Sequence, residues 1–243
     1  MKYALFSDIH SNLEAFESVL KDISRYNVDK RIFLGDIIGY GPNPAECIDL
    51  MIDSCDIILA GNHDWALIGK TPGDYFNKFA QEALEWTATQ IREDQREFLM
   101  TLVPSMIVDN RFQIAHSSPF HPEEWRYILS YFEALENYNY IDDRLCFIGH
   151  SHQPLVVKFL DDQNLEVLRP KDIKLEPEYK YIANIGSVGQ PRDSIPTACW
   201  VHFDSDKNEL EFHRVAYDIE AVQKKIHECN LSHYLAERLG YGR

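Results

Sequence analysis

Basic side chains are scarce in this 243-residue chain: 24 lysines and arginines face 39 aspartates and glutamates, a formal charge of −15. A surface of that sign repels a long polyanion, which argues against general nucleic-acid binding. Part of the acidic surplus is expected to face bound cations, because metal sites gather carboxylates. Cysteine is sparse too. Cys47, Cys55, Cys146, Cys199 and Cys229 form an odd set without C-x-x-C spacing. No disulfide framework is expected, and the thiols read as reduced, mostly buried groups of a cytoplasmic protein. No apolar run approaches the roughly 18 residues that a membrane helix needs. The first residues lack a basic segment followed by a long apolar one, so no secretory leader is expected. A P-loop, a G-x-G-x-x-G turn after a strand and a G-x-S-x-G elbow are all missing. Their absence argues against those phosphate cradles and against Ser-His-Asp catalysis.

What is present is a 45% hydrophobic chain, enough for a substantial core. Apolar runs at 2–7, 31–34 and 56–60 read as buried strands, and 13–23 and 45–52 read as helices between them. That alternation predicts βαβ units with a largely parallel sheet. Residues 75–102 read as a long helical region. Residues 105–108 and 112–115 read as a hairpin, and 145–148 as another buried strand. Beyond that point 155–160, 165–168, 180–185, 198–203 and 209–215 are strand-like with short turns, the pattern of antiparallel sheet. The tail at 219–239 reads as helix. The expectation is an α/β fold, with two sheets face to face and helices on the outer faces. It is expected to form a single domain over 1–243 with a helical insertion at about 72–102.

Five of these apolar strands end on side chains that can bind metal. They supply Asp8 and His10; Asp36; Asn62 and His63; His116; and His150 and His152. Open α/β sheets bind ligands at the carboxyl ends of their strands. Asp8 and His10 are two residues apart, as are His150 and His152, so an extended chain would point each pair to one side. A turn with an N-cap is the plain alternative for Asp8-Ile9-His10-Ser11-Asn12 taken alone. Mixed nitrogen and oxygen ligands suit Mn, Fe, Co, Ni or Zn better than Ca, and no cysteine joins the set. His121 reads as a surface residue, and His202 and His213 as structural ones.

Asp8-x-His10, Gly35-Asp36, Gly61-Asn62-His63-Asp64, His116 and Gly149-His150-Ser151-His152 resemble, in order and spacing, the motif series of the calcineurin-like metallophosphoesterases. The compact bacterial and archaeal phosphodiesterase branch is the nearest in pattern, and residues 184–193 resemble a loop seen there. The resemblance implies a four-layer α/β/β/α sandwich of two mixed sheets. It also implies two divalent transition metals, manganese favoured. Asp8, His10 and His152 would hold one metal; Asn62, His116 and His150 the other; and Asp36, having two oxygens, would bridge. A metal-bridging hydroxide would attack phosphorus directly, and His63, the catalytic residue, would donate a proton or hydrogen bond to the leaving oxygen. Asp64 would orient a neighbour or cap a turn.

Departures from the family pattern bear on substrate. Protein phosphatases and symmetrical dinucleoside tetraphosphatases carry an arginine in the loop after GD, where this chain has Tyr40. Protein phosphatases also have an aspartate where Gly39 stands and an arginine where Ala60 stands. The guanidinium clamp for a phosphomonoester dianion is therefore missing from these loops. This favours phosphodiesters of small or nucleotide-like substrates, with Asn12, Tyr40 and Arg192 as candidate substrate contacts. A phosphomonoesterase or dinucleoside-polyphosphate hydrolase is the alternative. A non-catalytic scaffold, a use to which this fold is put in the retromer complex, is the reading from another class. The acidic tail and the aromatic stretch at 120–140 are candidates for a homo-oligomer contact or a lid.

Overall fold

The computed structural model describes residues 1–73 and 76–243. Strand β1 (Lys2–Phe6) is followed by α1 (Leu13–Ile23), β2 (Lys30–Phe33), α2 (Pro44–Ser54) and β3 (Ile57–Ile58). β1 and β2 pair in parallel, as do β2 and β3, the arrangement that βαβ units produce. A short α3 (Asn62–Leu67) comes next, and the long helical region divides into α4 (Lys78–Ala88) and α5 (Glu93–Thr101). Residues 74–75, within the expected helix, lie outside the described residues. Two local features make the break after Ala88. The Thr89 hydroxyl closes α4 on the Trp86 carbonyl, and the Gln95 side chain opens α5 by accepting from the Arg92 N–H. Helix α3 was not expected from the sequence. It begins inside the Asn62-His63-Asp64 motif, where the strand was read as simply ending.

The hairpin β4 (Ser105–Val108) and β5 (Phe112–Ala115) is followed by α6 (Tyr131–Glu136), β6 (Leu145–Ile148), β7 (Leu155–Phe159) and β8 (Leu165–Leu168). Then come a short β9 (Ile173–Lys174), β10 (Lys180–Asn184), β11 (Ala198–Asp204) and β12 (Glu209–Val215). The tail forms α7 (Ile219–Glu228) and α8 (His233–Glu237) rather than one helix. Two mixed six-stranded sheets result, in the orders β3-β2-β1-β11-β12-β9 and β4-β5-β6-β10-β7-β8.

Alternation along the strands makes the layers. Tyr3 and Leu5 of β1 point inward, where they meet Phe112, Phe147, Val201 and Phe203 between the sheets. Ala4 and Phe6 point outward onto Phe16, Val19 and Ile23 of α1 and Ile48 and Met51 of α2. The outer face of the second sheet, with Cys146, Val157 and Ile182, is covered by Ile128 and by Ala134 of α6. This is the expected α/β/β/α order, more heavily helical on the first sheet. A third apolar cluster packs α4 against α7 and α8 and includes Tyr40, so the tail reaches the loop after β2. Among the described residues no helix is long and apolar enough to cross a membrane.

Candidate metal centre

The carboxyl ends of β1, β2, β5 and β6 open on one pocket, and α3 starts at its edge. Asp8, His10, Asp36, Asn62, His63, His116, His150 and His152 all lie there, each no more than 7% exposed. The backbone that brings them together is not extended. Asp8, His10, Asp36, His150 and His152 have φ between 49° and 64°, the left-handed region that L-residues avoid. The expected extended-chain pairing of Asp8 with His10, and of His150 with His152, is therefore corrected. The strands end at Phe6 and Ile148, and tight turns aim the side chains. Such strain persists only where surroundings over-determine it. Here the loop at 186–190 supplies bonds: the Val188 and Gly189 N–H groups donate to the carbonyls of Ser7 and Asp8, and the Ser187 hydroxyl donates to the Asp8 carbonyl.

Asp64 performs the same service for Asp36. Its carboxylate accepts from the backbone N–H of Asp36, Ile37, Ile38 and Gly61 at 2.9–3.3 Å, so it knits the loop after β2 to the start of α3. Burial and the Asp36 charge push its carboxyl up to about 7, against those donors. Gly61 is dictated by the same crowding, since a Cβ there would stand 2.0 Å from Asp36 Oδ1.

Each carboxylate divides its oxygens. Asp8 Oδ2 accepts from the His150 N–H, while Oδ1 faces His152 Nε2 at 3.2 Å and His10 Nε2 at 3.9 Å. Asp36 Oδ1 accepts from the His63 N–H, while Oδ2 faces His116 Nε2 at 3.4 Å and His10 Nε2 at 3.6 Å. Oδ1 of Asp36 is thus held by the backbone, and Oδ2 is the oxygen turned to the imidazoles. The four imidazoles are divided too. His10, His116 and His152 each turn Nδ1 to a backbone carbonyl, of Ile38, Leu34 and Gln190, and His150 turns Nε2 to that of Trp125. A carbonyl only accepts, so that nitrogen carries a proton, and in the neutral ring the other keeps its lone pair.

These free atoms fit a pair of cations. Among the described residues Asp8 Oδ1, Asn62 Oδ1 and His116 Nε2 are buried without a hydrogen-bond partner, which is costly unless something else binds them. Ligand atoms of Asp8, His10 and His152 lie within 4.8 Å of one another, as do those of Asp36, His116 and His150. The third such group is His10, Asp36 and His63. Electrostatics agree. Burial opposes ionisation of Asp36, but His116 and His63 outweigh it and hold the carboxyl well below its usual range. Burial disfavours a charged His116 as well, yet Asp36 lifts it to about 9, so this corner of the pocket attracts positive charge.

His63 is packed among rings: Phe76 stacks on it at 4.4 Å, Tyr40 lies at 4.7 Å and His10 at 4.9 Å. Among the described residues its Nδ1 is buried without a partner. A Cβ at Gly39 (φ +95°) would come within 2.5 Å of that nitrogen, so no carboxylate can follow Asp36 by three places here. Burial lowers His63 to about 4 and keeps the ring neutral. Asn12 does not reach for substrate as expected. Its Nδ2 donates to the Gly189 carbonyl and its Oδ1 caps α1 at the Ala15 N–H, so its role is structural. Tyr40 and Arg192 do border the pocket, the Arg192 guanidinium 5.9 Å from the Tyr40 ring.

Some residues at the pocket gave no advance sign. Tyr127 stacks on His150 at 4.0 Å, and with Trp125 and Phe76 it lines a cleft of about 380 Å³. The 120–140 stretch showed only its aromatic content. His121 is exposed, and His213 stacks on Trp200 away from the pocket, as expected of both.

The chain matches the calcineurin-like phosphoesterase family over residues 1–182. It is 42% identical to the uncharacterized protein MJ0912 of Methanocaldococcus jannaschii, over 99% of this chain and 98% of that protein. It superposes on the crystal structure of a metallophosphoesterase from Sphaerobacter thermophilus with a TM-score of 0.88 and 38% identity, covering 100% of this chain and 99% of the other. The hypothetical protein PH1004 of Pyrococcus horikoshii, at 17% identity, shares the fold with a TM-score of 0.79 over 100% of this chain and 98% of its own. The chain therefore belongs to the calcineurin-like phosphoesterase family, whose members are phosphoric ester hydrolases dependent on a pair of divalent metals.

Proposed function

We propose that the chain acts as one domain, a hydrolase of phosphodiesters of small or nucleotide-like substrates. The observation that carries this reading is the pair of buried ligand groups, Asp8 with His10 and His152 and Asp36 with His116 and His150, whose donor atoms lie within 4.8 Å of one another. Asp8, His10 and His152 would hold one cation and Asn62, His116 and His150 the other, with Asp36 shared by the two. Manganese is the favoured occupant; the nitrogen and oxygen donors also suit Fe, Co, Ni or Zn. Two such cations supply an acidified water as nucleophile and polarise the phosphoryl oxygens. In hydrolysis the water oxygen joins phosphorus as the bond to the leaving oxygen breaks. His63, neutral and facing the same centre, would donate a ring N–H hydrogen bond to that leaving oxygen, and the attacking water would supply the proton the leaving group ends with. The four backbone carbonyls behind the histidines hold their tautomers, and the aromatic cleft beside His150 excludes water from the leaving group.

The diester preference rests on what Gly39, Tyr40 and Ala60 omit. A diester phosphoryl group carries one charge and needs less guanidinium clamping than a monoester dianion. Five free cysteines fit a cytoplasmic setting. Turnover of bis-p-nitrophenyl phosphate against p-nitrophenyl phosphate, with added Mn, tests the reading. The diester is expected to be the better substrate. Predominant monoester turnover would overturn the preference, and silence on both would favour the scaffold.

A further inference from the structure

A second group of metal-capable side chains lies outside the pocket, on the outer face of the first sheet. β11 and β12 pair antiparallel with His202 directly opposite Glu211, and His213 follows two residues further along β12. Side chains two apart on a strand share a face. His202 also stands opposite Ala4, which points outward, so all three point away from the layer between the sheets. Tyr26, just past α1, walls the group. Its ring lies 4.7 Å from that of His213 and 6.0 Å from that of His202, and Trp200 stacks on His213 at 4.3 Å.

Glu211 Oε2 lies 3.6 Å from His202 Nδ1 and 3.7 Å from His213 Nε2. These separations are too long for a hydrogen bond. They match two ligands on one ion, since bonds of about 2.0–2.2 Å at tetrahedral or trigonal angles set the ligand atoms roughly 3.3–3.7 Å apart. The metal centre shows the same spacing, with Asp36 Oδ2 3.4 Å from His116 Nε2 and 3.6 Å from His10 Nε2. Among the described residues His202 Nδ1 and His213 Nε2 are both buried without a hydrogen-bond partner, and His202 is only 7% exposed. Orphaned nitrogens of that kind are costly unless something binds them. Tyr26 supplies the orientation. Its hydroxyl lies 3.3 Å from His213 Nδ1, and accepting the Nδ1 proton leaves the Nε2 lone pair turned to Glu211. Burial lowers His213 below its ordinary range, against the pull of Glu211 and Asp22, so the ring stays neutral and the acidic surroundings are left for another cation.

We propose that His202, Glu211 and His213 form a further metal site, separate from the pocket, which binds one divalent transition ion and staples β11 to β12. Two imidazoles and a carboxylate suit zinc, nickel or copper, which such donors hold more tightly than manganese. Glu211 is half-exposed, so the ion keeps a position open to water. All three ligands lie beyond the segment that matches the family, residues 1–182, so the site is no part of the shared motif series. It stands whether or not the pocket hydrolyses phosphodiesters.

Zinc content tests the site without turnover. The full chain and its variants are stripped with chelator, dialysed against micromolar free zinc and counted by mass spectrometry. The wild type is expected to hold one zinc more than His202→Gln, His213→Gln or Glu211→Gln, and zinc in the pocket cancels in that difference. Tyr26→Phe should keep the ion but bind it about tenfold more weakly, the effect of losing a group that orients a ligand. Glu228→Gln, an exposed control paired with Lys224, should leave the count unchanged. Circular dichroism checks that the variants fold, and Glu211→Gln, at a half-exposed side chain, keeps the test open should a histidine variant not fold. Equal zinc counts in the wild type and the three ligand variants would overturn the site, as would an equal loss in Glu228→Gln. Turnover of bis-p-nitrophenyl phosphate with Mn should match the wild type in all of them. A fall that tracks the missing zinc would overturn the separation from the pocket.

Discussion

The two ends of the sandwich both carry polar clusters, and they handle charge in opposite ways. At the amino end of β1, the Tyr3 hydroxyl donates to Asp109, Lys30 pairs with Asp109 at 2.6 Å, and Asp206 takes the N-terminus and Arg111. Each acid there meets a base, and most of the groups touch water. At the carboxyl end Asp8 and Asp36 are buried with no lysine or arginine partner, facing imidazoles whose outer nitrogens are already bonded to carbonyls. Strain follows the same division, because Asp8, His10, Asp36, His150 and His152 are all left-handed. A polar cluster that satisfies itself stabilises little and asks for nothing. One that buries acid without a base, on strained backbone, is built for a cation from outside.

The largest expected effect comes from removing the shared carboxylate. Asp36→Asn should empty or disorder both metal positions and lower turnover by about a thousandfold or more, roughly 4 kcal/mol of barrier. Metal analysis by mass spectrometry checks it, and full occupancy in the purified variant would sink the bridging role. Next comes His63→Ala, which should lower turnover by about 10²–10³-fold, the range for a lost hydrogen-bond donor to developing charge, with metal content nearly intact. A parallel loss of metal would instead make His63 a ligand, which its grouping with His10 and Asp36 permits. A smaller effect is expected from Gly39→Ala. The new methyl would press on His63 Nδ1 without removing the imidazole, and a displacement of that kind costs up to about a hundredfold in rate. Wild-type rates in this variant would show that the position of the ring does not matter.

The motif residues were legible because metal-capable side chains at strand ends are a pattern in the sequence itself. The route by which they converge was not. Asp8 and His10 look like an alternating pair on a strand, and only the bonds from the 186–190 loop reveal a left-handed turn. The βαβ start and the antiparallel second half were read correctly, since apolar periodicity reports them directly. The helix at Asn62 and the break at Thr89 were not, because each depends on a side chain capping backbone a few residues away. The docking of α7 and α8 onto Tyr40 was beyond reach altogether, because an apolar stripe on a helix does not name the surface it will cover.

The smallest effect belongs to the paired end and completes the comparison. The Lys30 bond, with the Tyr3 hydroxyl, lowers the Asp109 carboxyl below its ordinary range, while burial and Asp109 push Tyr3 up to about 12. A carboxyl depressed on folding adds stability above its unfolded value of about 3.9, and that stability is lost as pH falls through the folded value. Asp109 is partly solvated, so Asp109→Asn should cost only on the order of 0.5 kcal/mol at neutral pH, and its unfolding curve should converge with wild type in acid. Metal content and turnover should stay at wild-type levels. Urea titrations at pH 7 and pH 3, alongside metal analysis, measure both. A metal loss in this variant would mean that the two ends are coupled through β1, and the division between a self-satisfied cluster and a cation-seeking one would have to be abandoned.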